Sequence, residues 1–312
     1  MRHIHNHRHE VRDRLSQLAE EMRDWQRAPS LAGREREHVL NSVQFFPHTT
    51  ALDSLTLAGV DGSGDFPCLT YADSFIYVTV AEGTIYKNNP ASGLKEESPK
   101  FSPPPEFTWL PDDNEKCREK LRESFERLTG DSIENVVSNS DYRILKASAS
   151  GKNSSVERLM DELICPHASD AGNIGIQLRT TAELGNALQI IKSDSYPDFV
   201  LVDTTMSLPL VTRRDASLYY EHVKRLCCVE ALPRGIGFFA LSKSHGLPAI
   251  ELIEDVVKEK IGEANGQTPE HWYLRIPTES IDGWELSQTN DRQLPPIGAI
   301  TYLVRFHRNV PV

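Results

Sequence analysis

One stretch restricts this chain more than any other: Leu57-Ala-Gly-Val-Asp-Gly-Ser-Gly-Asp-Phe-Pro-Cys-Leu-Thr-Tyr-Ala-Asp-Ser-Phe-Ile-Tyr-Val-Thr-Val-Ala-Glu-Gly-Thr-Ile-Tyr86. An apolar run ends on Asp61, a Gly/Ser/Asp turn reverses the backbone, and a β-branched and aromatic run returns, which predicts a hairpin with Asp61 at a strand end. A carboxylate held on one side and open on the other suits a metal ion and contributes nothing to a core. Asp-Gly-Ser is equally an ordinary turn signal. What gives Asp61 weight is a second feature far downstream, Tyr196-Pro-Asp-Phe-Val-Leu-Val-Asp-Thr-Thr-Met-Ser-Leu208. There Phe199 to Val202 reads as a strand buried on both faces that ends on Asp203. Sheets of the α/β kind bind ligands beyond the carboxyl ends of their strands, so two carboxylates at two such ends are expected to converge.

The rest of the chain supplies helices for such a sheet. The alternating His3, His5, His7 and His9 belong to a polar, basic terminus that reads as solvated chain and receives no chemistry. Between Val11 and Arg36, Leu15, Leu18, Met22 and Trp25 recur at helical spacing and predict an amphipathic helix with a packing or dimer face. Lys87 to Asp113 carries Asn-Asn-Pro and three consecutive prolines and predicts a long loop; Glu115 to Leu128 and Ser154 to Leu163 read as helices, with a linker at 147–155. Residues 87–170 therefore read as a largely helical or loop insertion. Leu178 to Lys192 is a helix with one carboxylate, Glu183, among small and apolar neighbours, and it leads into the Phe199 strand. A helix over 215–232, a strand from Gly235 into a Ser242-Lys243-Ser244 turn, a helix over 249–261 and strands at 271–276 and 299–306 complete a mixed α/β order. The expected division is an N-terminal tail and helix over 1–36 and one domain over 37–312.

The order of these features resembles the RNase H-like nucleases and, more narrowly, the NurA nuclease family. The family's first strand ends Val-Asp-Gly-Ser, as Val60-Asp61-Gly62-Ser63 does here; its paired Arg and Glu on a helix match Arg179 and Glu183; its second acidic strand matches Leu201-Val202-Asp203; and Leu241-Ser242-Lys243-Ser244 matches a later strand ending in a Ser-Lys turn. Two departures stand out. Asp203-Thr204-Thr205-Met206 keeps the carboxylate of the family's Asp-Gly-Ser-Leu and lacks its glycine. The Tyr-Pro segment and later His that complete the family's site have no counterpart up to Val312, because Tyr302 and His307 stand too close together, so a shortened chain or an incomplete site is expected.

The resemblance implies an RNase H-like mixed sheet flanked by helices and a metal-dependent deoxyribonuclease. Asp61, Glu183 and Asp203 would be its metal ligands and catalytic residues with Lys243, while Ser63, Arg179 and Lys243 would contact nucleic acid. Oxygen ligands of this kind favour Mn2+ or Mg2+ over zinc. It implies as partners DNA, a second copy of the chain and a HerA-type hexameric ATPase. Read by residue alone, Glu183 is a solvated helix position, Lys243 an exposed turn lysine, and Arg179 a partner of Glu183 one helical turn away. A non-catalytic clamping or assembly subunit is the alternative function. With 45 acidic against 34 basic residues and a net charge of -11, the chain does not coat nucleic acid by bulk charge. Five cysteines without a Cys-x-x-Cys pair indicate neither a zinc knuckle nor a disulfide framework, and no apolar run reaches the length of a membrane span, which together predict a cytoplasmic protein. Neither a P-loop nor a Gly-x-Gly-x-x-Gly fingerprint stands at a strand end, against a nucleotide-dependent metabolic enzyme.

Overall fold

A computed structural model of the chain describes residues 8–25, 33–46, 54–89, 93–140, 171–194, 197–204, 219–241, 250–263, 271–275 and 302–305. In chain order the elements are α1 (Arg8–Trp25), α2 (Gly33–Ser42), β1 (Gln44–Phe46), β2 (Thr56–Ser63), β3 (Leu69–Thr70), β4 (Ser74–Asn89), β5 (Gly93–Phe101), β6 (Glu106–Pro111), α3 (Asn114–Thr129), α4 (Ile133–Asn139) and α5 (Ala171–Lys192). Then follow β7 (Phe199–Val202), α6 (Tyr219–Ala231), β8 (Gly237–Ala240), α7 (Ile250–Glu263), β9 (His271–Arg275) and β10 (Tyr302–Arg305). The expectations at His3 to His7, 147–163, Lys243 and His307 lie outside the described residues, as do the first residues of the helix expected over 215–232.

Two compact units result. The smaller comprises Met1–Pro47, Gly246–Glu285 and Leu303–Val312. Its sheet runs in the order β1-β9-β10, with Phe45 opposite Trp272 in an antiparallel pair. Helix α2 packs on α7, burying Val39 with Ile253 and Val257, and Arg36 pairs with Glu259. The single helix predicted over 11–36 is two. Pro29 lies in the interval between them, and Gly33, with φ at +60°, opens the second. On α1 three residues of the predicted apolar stripe are exposed, Leu15 at 61%, Leu18 at 40% and Met22 at 58%.

The larger unit, His48–His245 with Leu286–Tyr302, is built on a seven-stranded sheet. Its order is β3-β4-β2-β7-β8, with β5 and β6 both pairing with the long strand β4. Strand β4 is antiparallel to β2, whereas β2, β7 and β8 are parallel, as their helical crossovers α5 and α6 require. This is the mixed, helix-flanked sheet that the sequence predicts.

Helix α5 lies across β4, β2 and β7 and packs on α3 and α6, so the core forms between one sheet face and these helices. Ala58, Val60, Tyr77, Val200 and Val202 face it from the sheet, and Leu178 and Leu188 from α5. Helix α3 is capped by Asp113, whose side chain accepts from Lys116 N at 2.9 Å, and ends on Gly130 in the left-handed region. At the amino ends of β2 and β7, Thr56 N and Oγ1 donate to Asp198 Oδ2 at 2.8 and 2.7 Å, and Asp198 N donates back to Thr56 Oγ1 at 3.0 Å. That clasp holds the two strands in register.

Three expectations are corrected here. The loop predicted over 87–113 is mostly strand: β4 continues to Asn89 and both β5 and β6 pair with it. Pro99 and Pro103 to Pro105 occupy places that need no ladder donor. Pro99 falls where the register shifts between the Ile85–Glu97 and Gly83–Phe101 pairs, and Pro103 to Pro105 lie between β5 and β6. Asp61-Gly62-Ser63 does not turn but continues β2, with Ser63 opposite Val80, and the chain reverses only beyond β3, where Tyr71 N donates to Ser74 O at 2.9 Å. The helix predicted from Leu178 starts at Ala171, because Gly172, Asn173 and Gly175 break the apolar period without breaking the helix.

Candidate functional site

Strands β2 and β7 pair Val60 with Val202, so Asp61 and Asp203, the next residues, stand on neighbouring strands about 4.8 Å apart at the same end of the sheet. Val60 and Val202 point into the core under α5, and strand alternation turns Asp61 outward. Asp61 is exposed and its Oδ1 accepts from Gly62 N at 2.9 Å, which sets the carboxylate's orientation, while Asp203 is half-buried.

Glu183 approaches from the helix above. A Cβ on Gly62 would lie 2.8 Å from Glu183 Cγ and 2.9 Å from Val80 O, so the glycine makes the room that this side chain fills. Glu183 is 0% exposed, which corrects its reading as a solvated helix residue. Among the described residues, neither carboxyl oxygen has a hydrogen-bond donor. Burial, with the charges of Asp61, Asp203 and Asp65, pushes its pKa up from 4.5 to about 7 against the opposing pull of Arg179. An unpartnered buried carboxyl costs on the order of 1–3 kcal/mol, which a core has no reason to carry.

Arg179, one turn before Glu183 on α5, lies 3.9 Å from Glu183 Oε1 but only 2.7 Å from Asp65 Oδ1. The close pair is an ionic contact without hydrogen-bond alignment, since among the described residues neither Arg179 Nε nor Asp65 Oδ1 has a directed partner. Asp65 has no place among the residues expected from sequence. Its signal was the second Asp of Asp61-Gly-Ser-Gly-Asp65, carried on a loop where Gly64 adopts φ of +128°.

Of the other expected residues, Ser63 is exposed at the end of β2, beyond Asp61. Lys243 lies outside the described residues; Leu241 N donates to Val202 O at 2.9 Å, so the chain leaves β8 at the Asp203 end. Thus Asp61 and Asp203 are brought near enough for their charges to act on Glu183. Among the described residues, however, no group of three His, Cys, Asp or Glu side chains is placed to hold a metal ion. Nor is any described helix long and apolar enough to cross a membrane.

No protein-family model and no curated protein matches the chain. Solved structures similar to it include the NurA nuclease from Sulfolobus solfataricus, at 13% identity over 88% of this chain and 77% of that one, with a TM-score of 0.29. A second NurA structure is 11% identical over 96% of this chain and 58% of its own, with a TM-score of 0.29. A third, NurA bound to dAMP and manganese, is 10% identical over the same shares, 96% and 58%, with a TM-score of 0.28.

Proposed function

We propose that this chain is a divalent-metal-dependent DNA nuclease whose site is Asp61, Glu183 and Asp203. The observation that carries this reading is the Glu183 carboxyl: fully buried, without a donor on either oxygen among the described residues, and under the field of two aspartates on adjacent parallel strand ends. An all-oxygen set of this kind fits Mn2+ or Mg2+, and a cation is the partner that its unsatisfied oxygens lack. When bound, such ions supply charge stabilisation and an activated water for phosphodiester hydrolysis.

The chain's own residues do the positioning. Asp61 and Asp203 present their carboxylates from a sheet fixed in register by the Thr56–Asp198 clasp, and Glu183 presents its own from above Gly62. Ser63, at the exposed end of β2, and Lys243, just past β8, would contact the nucleic-acid backbone together with Arg179. A homodimer and a HerA-type ATPase are proposed as partners on the sequence resemblance, with the exposed residues of the α1 stripe as a contact surface. The non-catalytic clamping subunit remains a second reading, favoured by the lack of a ready three-ligand group among the described residues.

Manganese titration calorimetry with a DNA cleavage assay decides between them. Bound manganese and cleavage, both lost in Asp61→Asn and in Asp203→Asn while the fold persists, are expected. A folded parent that neither binds manganese nor cuts DNA would overturn the nuclease reading in favour of the clamp.

A further inference from the structure

Three groups on α5 lie in one row at helical spacing: Gly175, Arg179 and Glu183. Over Gly175 runs the backbone of Gly64 and Asp65. A Cβ at Gly175 would sit 2.1 Å from Asp65 O, so only glycine lets the loop come this near the helix. Gly64 makes the same loop possible from the other side: its φ is +128°, and a Cβ there would sit 2.6 Å from Val78 O. The effect of both glycines is to set the Asp65 carboxylate beside Arg179.

Left to itself, an Arg four residues before a Glu on one helix face pairs with it. Here the guanidinium lies 2.7 Å from Asp65 and 3.9 Å from Glu183, and among the described residues neither Glu183 oxygen has a donor. We infer that Asp65 is a positioning residue: it holds Arg179 away from Glu183 and so leaves the Glu183 carboxylate open to a ligand. This rests on the reading of Glu183 as a metal ligand. An arginine drawn fully onto Glu183 would occupy the oxygens that a cation needs, and a desolvated pair of that kind is not readily broken. Because Arg179 is held to Asp65 by charge and not by an aligned hydrogen bond, removing the Asp65 charge frees it to turn.

The test uses the full chain with Asp65→Asn, a change of one charge at nearly constant shape. Its first readout needs neither metal nor activity: the Arg179 Nε–Hε NMR signal, identified by its loss in Arg179→Lys, should shift in Asp65→Asn and return toward its original position in Asp65→Asn/Glu183→Gln. Its second is manganese affinity by calorimetry, expected to fall on the order of tenfold in Asp65→Asn, the lower end of what outer-shell partners contribute, and to recover in Asp65→Asn/Arg179→Ala. A merely structural role for Asp65 would make the double variant worse, not better. An unmoved Arg179 signal, or no recovery in the double variant, overturns the inference. A parent that binds no manganese overturns the ligand reading beneath it, and the NMR signal tells that failure apart from a failure of the Asp65 contact. Asp65→Ser gives the same readouts should the Asn variant not fold.

Discussion

Replacing Glu183 by Gln should flatten the pH dependence of stability, and the size of the effect follows from the site. In the folded chain the Glu183 carboxyl keeps its proton up to about pH 7, against an ordinary value of 4.5. The unfolded chain loses that proton near the ordinary value. Between the two values the folded state binds a proton that the unfolded state has released, so stability falls as pH rises from about 4.5 to 7 and then stays low. The interval corresponds to roughly 3 kcal/mol, or on the order of 6–12 °C in melting temperature for a domain of this size. Urea denaturation in the presence of a chelator, run across this range on parent and Glu183→Gln, measures it. Every other titrating group is common to both proteins, and the buried amide of Gln shifts the variant by a constant, so the difference between the two curves isolates Glu183. The difference should move in favour of the variant with rising pH. Manganese should raise the parent's stability above pH 7 and leave the variant's unchanged. Parallel curves for the two proteins would refute the argument that burial, without a donor, governs this carboxyl.

Further outcomes can be checked on the same preparations. Gly175→Ala should destabilise by about 1–3 kcal/mol in a thermal melt despite alanine's better helix propensity, because its methyl meets Asp65 backbone; Gly59→Ala, where a Cβ meets nothing within 4 Å, should not. Deleting residues 1–28 removes the exposed stripe of Leu15, Leu18 and Met22 and should change the oligomer seen by light scattering, whereas an unchanged number of chains per particle would remove α1 from assembly.

The parallel strands of the sheet were legible because they are apolar and sharply bounded. β2, β7 and the helix before β7 follow directly from periodicity, and the two aspartates at neighbouring strand ends follow from them. What the sequence concealed was tertiary. The small and apolar neighbours of Glu183 single it out but do not bury it; its burial comes from the sheet beneath and from the absence of a side chain at Gly62. Helix α6 was expected over 215–232, but the burial of its charged residues was not visible there: Glu221, Lys224 and Arg225 are each 1% exposed, with Lys224 donating to Glu221 at 2.6 Å. Proline content misled at 87–113, since it records where a ladder donor is missing and not where a strand ends. Asp65 escaped because its place depends on an approach of loop to helix that two separated glycines permit.

The Thr56–Asp198 clasp lies at the far end of the strands that carry Asp61 and Asp203, about five residues or 16 Å away. A two-residue slip of β7 against β2 would keep every buried side chain on its proper face and carry Asp203 about 6–7 Å from its neighbour. Such a protein would fold, resist proteolysis and pass for native in a melt, yet behave as though an acidic residue had been deleted. In a random mutant collection screened for lost activity, substitutions at Thr56 would therefore group with those of Asp61 and Asp203, and a map drawn from that screen would place a site where there is only a ruler.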